Sequence, residues 1–368
     1  MARRSPAEAP AGHPHNGTLA AARPPEQHCD LQALTPRWNA LADGLQATPF
    51  LRPGWISAWW RAFGRGRLEI ISTADAGGGL GAVLPIVRRG ATVSSPTNWH
   101  TPQFGLLAAD RPAGDSVVGQ LFARRAQQFS LGFLGSREPD LELLMTAAEE
   151  ARYRFTVRTL ERQPLVRVQG PWATYERSLS RNLRRDVGRC RRRLGELGTV
   201  SVDVRQDPGA LEEAFAVEAA GWKGTAGTAI ASRPQTQAFY TDVAEWAAGR
   251  GSLRLIFLRV DGRAIAFHLA LEEGGTYFPL KGGFDPAFRR HSPGKLIIHA
   301  TLERAFAVGL QRYEFLGAVD DYKQRWANDV HDRLLFQAFS FTAPGMIRRA
   351  AFVYGRPVAK RLIRSATR

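Results

Sequence analysis

Cysteine is nearly absent from this 368-residue chain, in which only Cys29 and Cys190 occur. Two thiols build neither a disulfide framework nor a cysteine-rich metal site, which fits a reducing compartment. The eight histidines follow no metal pattern either: His13 and His15 lie near the N-terminus, HExxH does not occur, and His291 and His299 are eight residues apart. The chain therefore reads as metal-free. No stretch offers the roughly 18 consecutive apolar residues that a membrane-spanning helix needs. After Arg3 and Arg4 proline and charge return before any secretory core can form, so a soluble cytoplasmic protein is expected. Residues 1–29, rich in alanine and proline with little to bury, read as a disordered leader. Acid is in short supply too: 34 Asp and Glu face 50 Lys and Arg, a formal charge of +16. Such a field favours anionic partners such as nucleic acid, lipid headgroups or phosphorylated cofactors.

What is present is a regular alternation of strands and helices, clearest in the second half. "VSVDV" (200–204) alternates as a strand, and Asp207-Pro208 offers an N-cap and a first-turn proline for a helix to about Ala220. A second helix is expected from Pro234 to Ala248, closed by Gly249 and Gly251. "LRLIFLRV", the Asp261-Gly262 turn, "RAIAFHLALE", Gly274-Gly275 and "TYFPLK" then give three antiparallel strands in succession. A helix over Gly294 to Val308, a strand "RYEFL", a short helical stretch "DYKQRWA" and a final strand "RLLFQAFSF" complete the unit.

The first half repeats much of this order: a short helix at Arg37 to Ala42, a proline-started helix "RPGWISAWWRAFG", three strands, a helix over 115–129, a strand "LGFL", a helix over 138–150 and a strand "YRFTVRTL". A divergent duplication of one α/β unit follows, with a junction near Pro164 to Pro171. Just beyond it, Leu179, Leu183, Val187, Cys190, Leu194 and Leu197 form a helical apolar stripe among the arginines of 177–193. Those arginines are either the solvated face of a packed helix or a surface for an anionic substrate, tRNA or an anionic membrane. Residues 344–368 form a second basic, partly amphipathic segment that Pro357 interrupts.

"FRRHSPGKLIIHA" (288–300) sets two arginines, a serine and a Gly-Lys pair at the start of a helix. Free backbone N–H groups and a partial positive charge make that an anion site, and glycine lets a pyrophosphate come close. A nucleotide P-loop is excluded, because Arg289 stands where its first glycine is needed and Leu296 where Ser or Thr must follow the lysine. A dinucleotide fingerprint is excluded too, because an antiparallel meander precedes the loop.

Three antiparallel strands, an arginine-bearing glycine loop and a helix resemble the GNAT acyltransferase superfamily. "EAAGWKGTAGTAI", "LKGGFDPAFRRHSPGKL" and "YEFLGAVDDYKQRW" resemble more closely its CelD-like subgroup, associated with polysaccharide or cellulose biosynthesis and related to the FemAB peptidyltransferases. The resemblance implies an α+β chain of two tandem GNAT-like domains, each a mostly antiparallel mixed sheet flanked by helices. They would be a degenerate one over 30–165 and one over 166–343 with an acyl-CoA site. It implies a cofactor loop of Arg289, Arg290, Ser292, Gly294 and Lys295 for the pyrophosphate of acetyl-CoA or another acyl-CoA, with Leu280, Lys281 and Gly282 offering backbone groups to the pantetheine. Pro293 and Lys295 depart from the usual loop pattern.

Acyl transfer needs a group to take the acceptor's proton and an acid for the leaving thiolate. Glu218 before "GWKG" is the candidate base; Tyr322 falls where many GNAT enzymes place the tyrosine that protonates the thiolate. Asp320, Asp321, Lys323 and Trp326 form a polar-aromatic cluster able to face the acceptor, and Trp222 and Lys223 either gate its pocket or cap the helix before them. His268, in "AIAFHLAL", reads as a core histidine. Expected acceptors are an amine or hydroxyl of an envelope glycan, a lipid or a small molecule. A FemAB-like transferase using charged tRNA, and a non-catalytic partner of a membrane-bound polysaccharide synthase, remain alternatives.

Overall fold

The computed structural model describes residues 30–136, 140–220 and 233–355. Helices α1 (Asp30–Gly44) and α2 (Pro53–Phe63) open the first half, followed by strands β1 (Arg67–Ala74), β2 (Leu80–Arg89), β3 (Thr92–Ser94) and β4 (Leu107–Ala108). Helix α3 (Arg111–Ala123), β5 (Gln128–Gly135), α4 (Asp140–Glu150) and β6 (Tyr153–Arg167) complete it. Helix α3 starts and ends earlier than its apolar pattern suggests. Asp110 caps it by accepting from the Ala113 N–H at 2.8 Å, and Arg125, at φ 48°, turns the chain into β5.

The second half begins with α5 (Trp172–Ser178) and α6 (Arg181–Gly195). The arginine-rich segment, whose apolar spacing suggests one helix, is thus two, because the Ser180 hydroxyl caps α6 by accepting from the Leu183 N–H at 3.2 Å. Leu183, Val187, Cys190 and Leu194 are buried as the stripe demands, whereas Leu197 lies past the helix end and is exposed. Strand β7 (Val200–Arg205), α7 (Leu211–Ala219), α8 (Pro234–Gly249), β8 (Leu253–Val260), β9 (Arg263–Glu273) and β10 (Thr276–Phe284) follow. Asp261 and Gly262 both have positive φ, as the tight β8–β9 turn requires. The chain closes with α9 (Pro293–Ala307), β11 (Arg312–Glu314), the short α10 (Asp321–Gln324), β12 (Asp329–Ser340) and α11 (Ala343–Ala350).

All strands join one mixed sheet in the order β1-β2-β3-β5-β12-β6-β11-β10-β9-β8-β7, with β4 alongside β2. Among the described residues only β3/β5 and β10/β11 are parallel. Each half therefore runs from antiparallel strands into one parallel pair. Beyond that pair lies the last strand of the other half: β12 pairs with β5, β6 pairs with β11, and β6 and β12 run antiparallel at the centre. This exchange makes the sheet continuous and fixes the two halves against each other.

Side-chain packing crosses the same junction. One core cluster takes Trp38, Phe50, Trp55 and Trp60 from α1, α2 and the loop between them together with Phe239, Phe257 and Phe267 of the second half. Helices α2 and α8 approach so closely that a β-carbon on Gly54 would overlap the Trp246 indole. A second cluster lies beneath α5, α6 and α9, and a third fills the first half.

Candidate functional site

The site is a cleft made by strands that part. Strands β10 and β11 pair only at Thr276/Arg312 and Tyr277/Tyr313. Beyond Tyr277, β10 continues to Phe284 against β9 alone, with a bulge between Pro279 and Lys281. On the other side the chain turns away through Leu316 and Gly317, both at positive φ. A cavity of about 960 Å³ occupies the gap. Pro279 to Phe284 form one wall, Phe315 to Ala318 the second, Ile297, Ile298 and Tyr313 the floor, and Trp99 to Pro102, Phe133 and Glu161 of the first half a third wall.

Of the residues expected from sequence, Leu280, Lys281, Gly282, Arg289, Ser292, Gly294, Lys295, Tyr322 and Lys323 line this one cavity. Residues 286–291 form a turn capped by Asp285, whose carboxylate accepts from the Ala287 N–H at 2.9 Å. Ser292 then adopts φ 50°, and Pro293 starts α9. The Ser292 carbonyl accepts from the N–H groups of Lys295 (2.9 Å) and Leu296 (3.3 Å). Pro293 has no N–H to offer, so Gly294 carries the amide nearest the tip.

The Tyr322 hydroxyl stands at this same tip. A β-carbon on Gly294 would lie 3.6 Å from it. Burial raises the phenol's pKa and the nearby Asp320 carboxylate raises it further, so the group stays protonated at neutral pH. Lys323 is fixed by the chain: its ammonium donates to the carbonyls of Leu316 (2.9 Å) and Ala318 (3.1 Å), holding the turned wall in place. Lys281 lies 5.3 Å from the centroid of the Tyr240 ring. Lys295 reaches sideways to an ion pair with Asp186 on α6.

Other candidates lie outside the wall. Arg290 is exposed, Asp320 caps α10 by accepting from the Lys323 N–H at 2.8 Å, and Asp321 is exposed in the first turn of that helix. Trp326 is buried in the core beneath α5 and α9, where its carbonyl accepts from the Tyr175 hydroxyl at 2.6 Å. Glu218 is 2% exposed. It sits behind β10, its backbone and β-carbon 3.4 Å from where Gly283 would carry a side chain. Trp222 and Lys223 lie outside the described residues.

Three polar groups in the wall do not stand out in the sequence as site residues. His100 stacks on Phe63 at 5.3 Å and 7°, and its Nδ1 is 3.0 Å from the Tyr240 hydroxyl. Burial, with the Lys281 and Arg233 charges nearby, holds its pKa down at about 4, so the ring is neutral at pH 7. His268 is buried but lines the cavity, with Nδ1 3.4 Å from the Tyr277 hydroxyl and its pKa also held at about 4 by burial. Tyr240 is fully packed, its pKa raised by burial and by Glu218. The one signal for His100 is the aromatic loop "NWHTPQFG", which precedes a helix and strand just as the arginine loop does in the other half. Among the described residues, no group of three or more His, Cys, Asp or Glu could hold a metal ion, and no helix is long and apolar enough to cross a membrane.

None of the curated proteins matches the chain in sequence. Solved structures share the fold at low identity. The C-terminal domain of a putative lysylphosphatidylglycerol synthetase from Agrobacterium fabrum has TM-score 0.54 at 11% identity, over 88% of this chain and 96% of that one. FemX has TM-score 0.56 at 10% identity, over 84% and 96%. A conserved protein of unknown function from Bacteroides thetaiotaomicron has TM-score 0.51 at 10% identity, over 84% and 97%. Residues 181–324, which hold β7 to β11, α9 and the Tyr322 turn, match the family model of the acetyltransferase (GNAT) domain. The chain thus carries a GNAT-type acetyltransferase domain over those residues, and with it the enzyme class of the acyltransferases.

Proposed function

We propose that the protein transfers an acyl group, of a size that the cleft between β10 and β11 admits, from an acyl-CoA to an amine or hydroxyl by direct attack on the thioester. The observation that carries this reading is the meeting of three features in one cavity: the unpaired edge of β10, the α9 tip at Gly294 and the protonated Tyr322 hydroxyl. An extended pantetheine arm can bond to the open β10 edge as an added strand would. The Gly294 amide and the Arg289 guanidinium, at the positive end of α9, suit a pyrophosphate. Attack forms the new N–C or O–C bond as the C–S bond breaks; the acceptor's proton passes to solvent, Tyr322 is placed to give its proton to the departing thiolate, and solvent then restores the phenol.

The acceptor would enter along the first-half wall. In the neutral tautomer whose Nδ1–H donates to the Tyr240 hydroxyl, His100 accepts a hydrogen bond at Nε2 from the acceptor's N–H or O–H and so aims the attacking lone pair. Glu218 acts through the wall, behind Gly283 and close to Tyr240, which holds His100. The CelD-like motifs favour an envelope glycan or lipid acceptor. Calorimetric titration with acetyl-CoA tests the donor: no binding, or binding indifferent to Arg289→Ala and Gly294→Glu, would overturn this reading.

The exposed arginines of α6 and the likeness to FemX support a second reading, with charged tRNA as donor. It predicts tRNA affinity that falls steeply with salt and with neutralisation of Arg184, Arg185, Arg191 and Arg192.

A further inference from the structure

A second concavity of about 640 Å³ opens beside the cleft, and it is lined by Arg185, Arg189 and Arg192 of α6, Arg325 at the end of α10, and Ser180, Asn182, Leu183 and Asp186. Four guanidinium groups from two elements thus face one space against a single carboxylate. That carboxylate is already shared between Lys295 and Arg189. Like charges gathered in one hollow repel one another unless an anion joins them, and guanidinium groups match the oxygens of a phosphate.

Two connections tie this hollow to the cleft. Asp186 in the hollow pairs with Lys295, which lines the cleft next to Gly294. Arg325 in the hollow follows three residues after Tyr322, whose hydroxyl stands against Gly294. A donor whose pyrophosphate rests at Gly294 therefore has the arginine hollow one side chain away. We infer that this hollow holds the 3′-phosphate-bearing nucleoside end of the donor, so that α6 is part of the coenzyme site although it precedes the first strand of the second half. This rests on the acyl-CoA reading and names the residues that would set its affinity.

The test compares CoA with dephospho-CoA, which lacks only the 3′-phosphate, in calorimetric titrations of the full chain. The wild-type protein should bind CoA about tenfold more tightly, the scale of one or two charge-assisted hydrogen bonds. Arg192→Gln with Arg325→Gln should bring CoA down to the dephospho-CoA affinity and leave the latter unchanged. Adenosine 3′,5′-bisphosphate should bind the wild-type protein alone and compete with CoA, a measurement that needs no variant to fold. Equal affinity for CoA and dephospho-CoA in the wild-type protein overturns the inference while leaving the acyl-CoA reading intact. The inference also falls if the paired variant loses tRNA affinity but keeps its preference for CoA. Failure of both CoA and dephospho-CoA to bind overturns the acyl-CoA reading itself.

Discussion

The ammonium of Lys295, one residue beyond the Gly294 tip of α9, is held by the carboxylate of Asp186 on α6. The hydrogen bond from Lys295 holds the Asp186 pKa below the usual carboxylate value, with the Lys295 and Arg189 charges acting in the same direction. The pair therefore tethers the arginine helix to the anion-binding helix start and cancels part of the positive charge there.

Asp186→Asn removes that cancellation. Acetyl-CoA affinity should rise about three- to tenfold at low salt, the gain shrinking as salt screens it. Because the folded pKa is depressed, the tether contributes stability above the unfolded value of 3.8 and loses it as pH falls through the lower folded value. Urea midpoints at pH 7 and pH 3 should therefore converge between wild type and variant at the acid end. Unchanged affinity across the salt series would show that Lys295 plays no part in anion binding.

His100 and His268 titrate near pH 4 in the folded chain, against 6.5 for a free imidazole. Between those values the unfolded chain binds more protons, so stability falls as pH drops from 6.5 towards 4. For the fully packed His268 the loss is on the order of 3 kcal/mol. The ring C–H resonances of both histidines should stay unshifted from pH 8 to pH 5 in NMR titrations. His268→Gln should flatten the pH dependence of the urea midpoint in the same range.

Arg52 joins the halves through charge. It is 3% exposed and pairs with Asp43 at 2.7 Å and with Glu273, at the end of β9, at 2.6 Å. Arg52→Ala should destabilise the chain by about 3 kcal/mol, the lower end of the range for breaking a buried pair. The lower end is expected because Arg250 also reaches Asp43 and Glu273, at 3.1 and 3.2 Å, and keeps both carboxylates partnered. A single denaturation transition, shifted as a whole, should mark the loss, since the first core cluster spans both halves.

The strands, their antiparallel order and the helix start at Pro293 are legible in the sequence because each depends on local chemistry: alternation, glycine turns, a proline at the first helical position. Leu280 to Gly282, Ser292, Gly294, Lys295 and Tyr322 are brought near one another in the sequence only by the resemblance their motifs carry, and in the structure all of them line the cleft. Strand exchange cannot be read, since nothing local in "RLLFQAFSF" says that β12 pairs with β5 and β6 rather than with its own half. Its consequence, a cleft wall from the first half, hides His100 for the same reason. Trp326 is misleading for another: a tryptophan beside charged residues looks equally fit for a cleft or a core, and only packing against Tyr175 and His299 decides for the core.

Tyr322 offers the sharpest test of the chemistry. The residue is 40% exposed, yet its hydroxyl is turned against Gly294 and its pKa is raised by burial and by Asp320. A proton donor in that state remains loaded through neutral and mildly alkaline pH, so kcat should hold level to about pH 9. Tyr322→Phe keeps the ring and removes only the hydroxyl. It should lower kcat about a hundredfold while changing the KM for acetyl-CoA little, because the thiolate exists only as the C–S bond breaks. A donor with a better leaving group, such as an acyl ester of an acidic thiol, should recover most of the lost rate. If kcat and KM instead change together, or the acidic thiol gives no recovery, the hydroxyl is a packing element of the α9 tip and another group must deliver the proton.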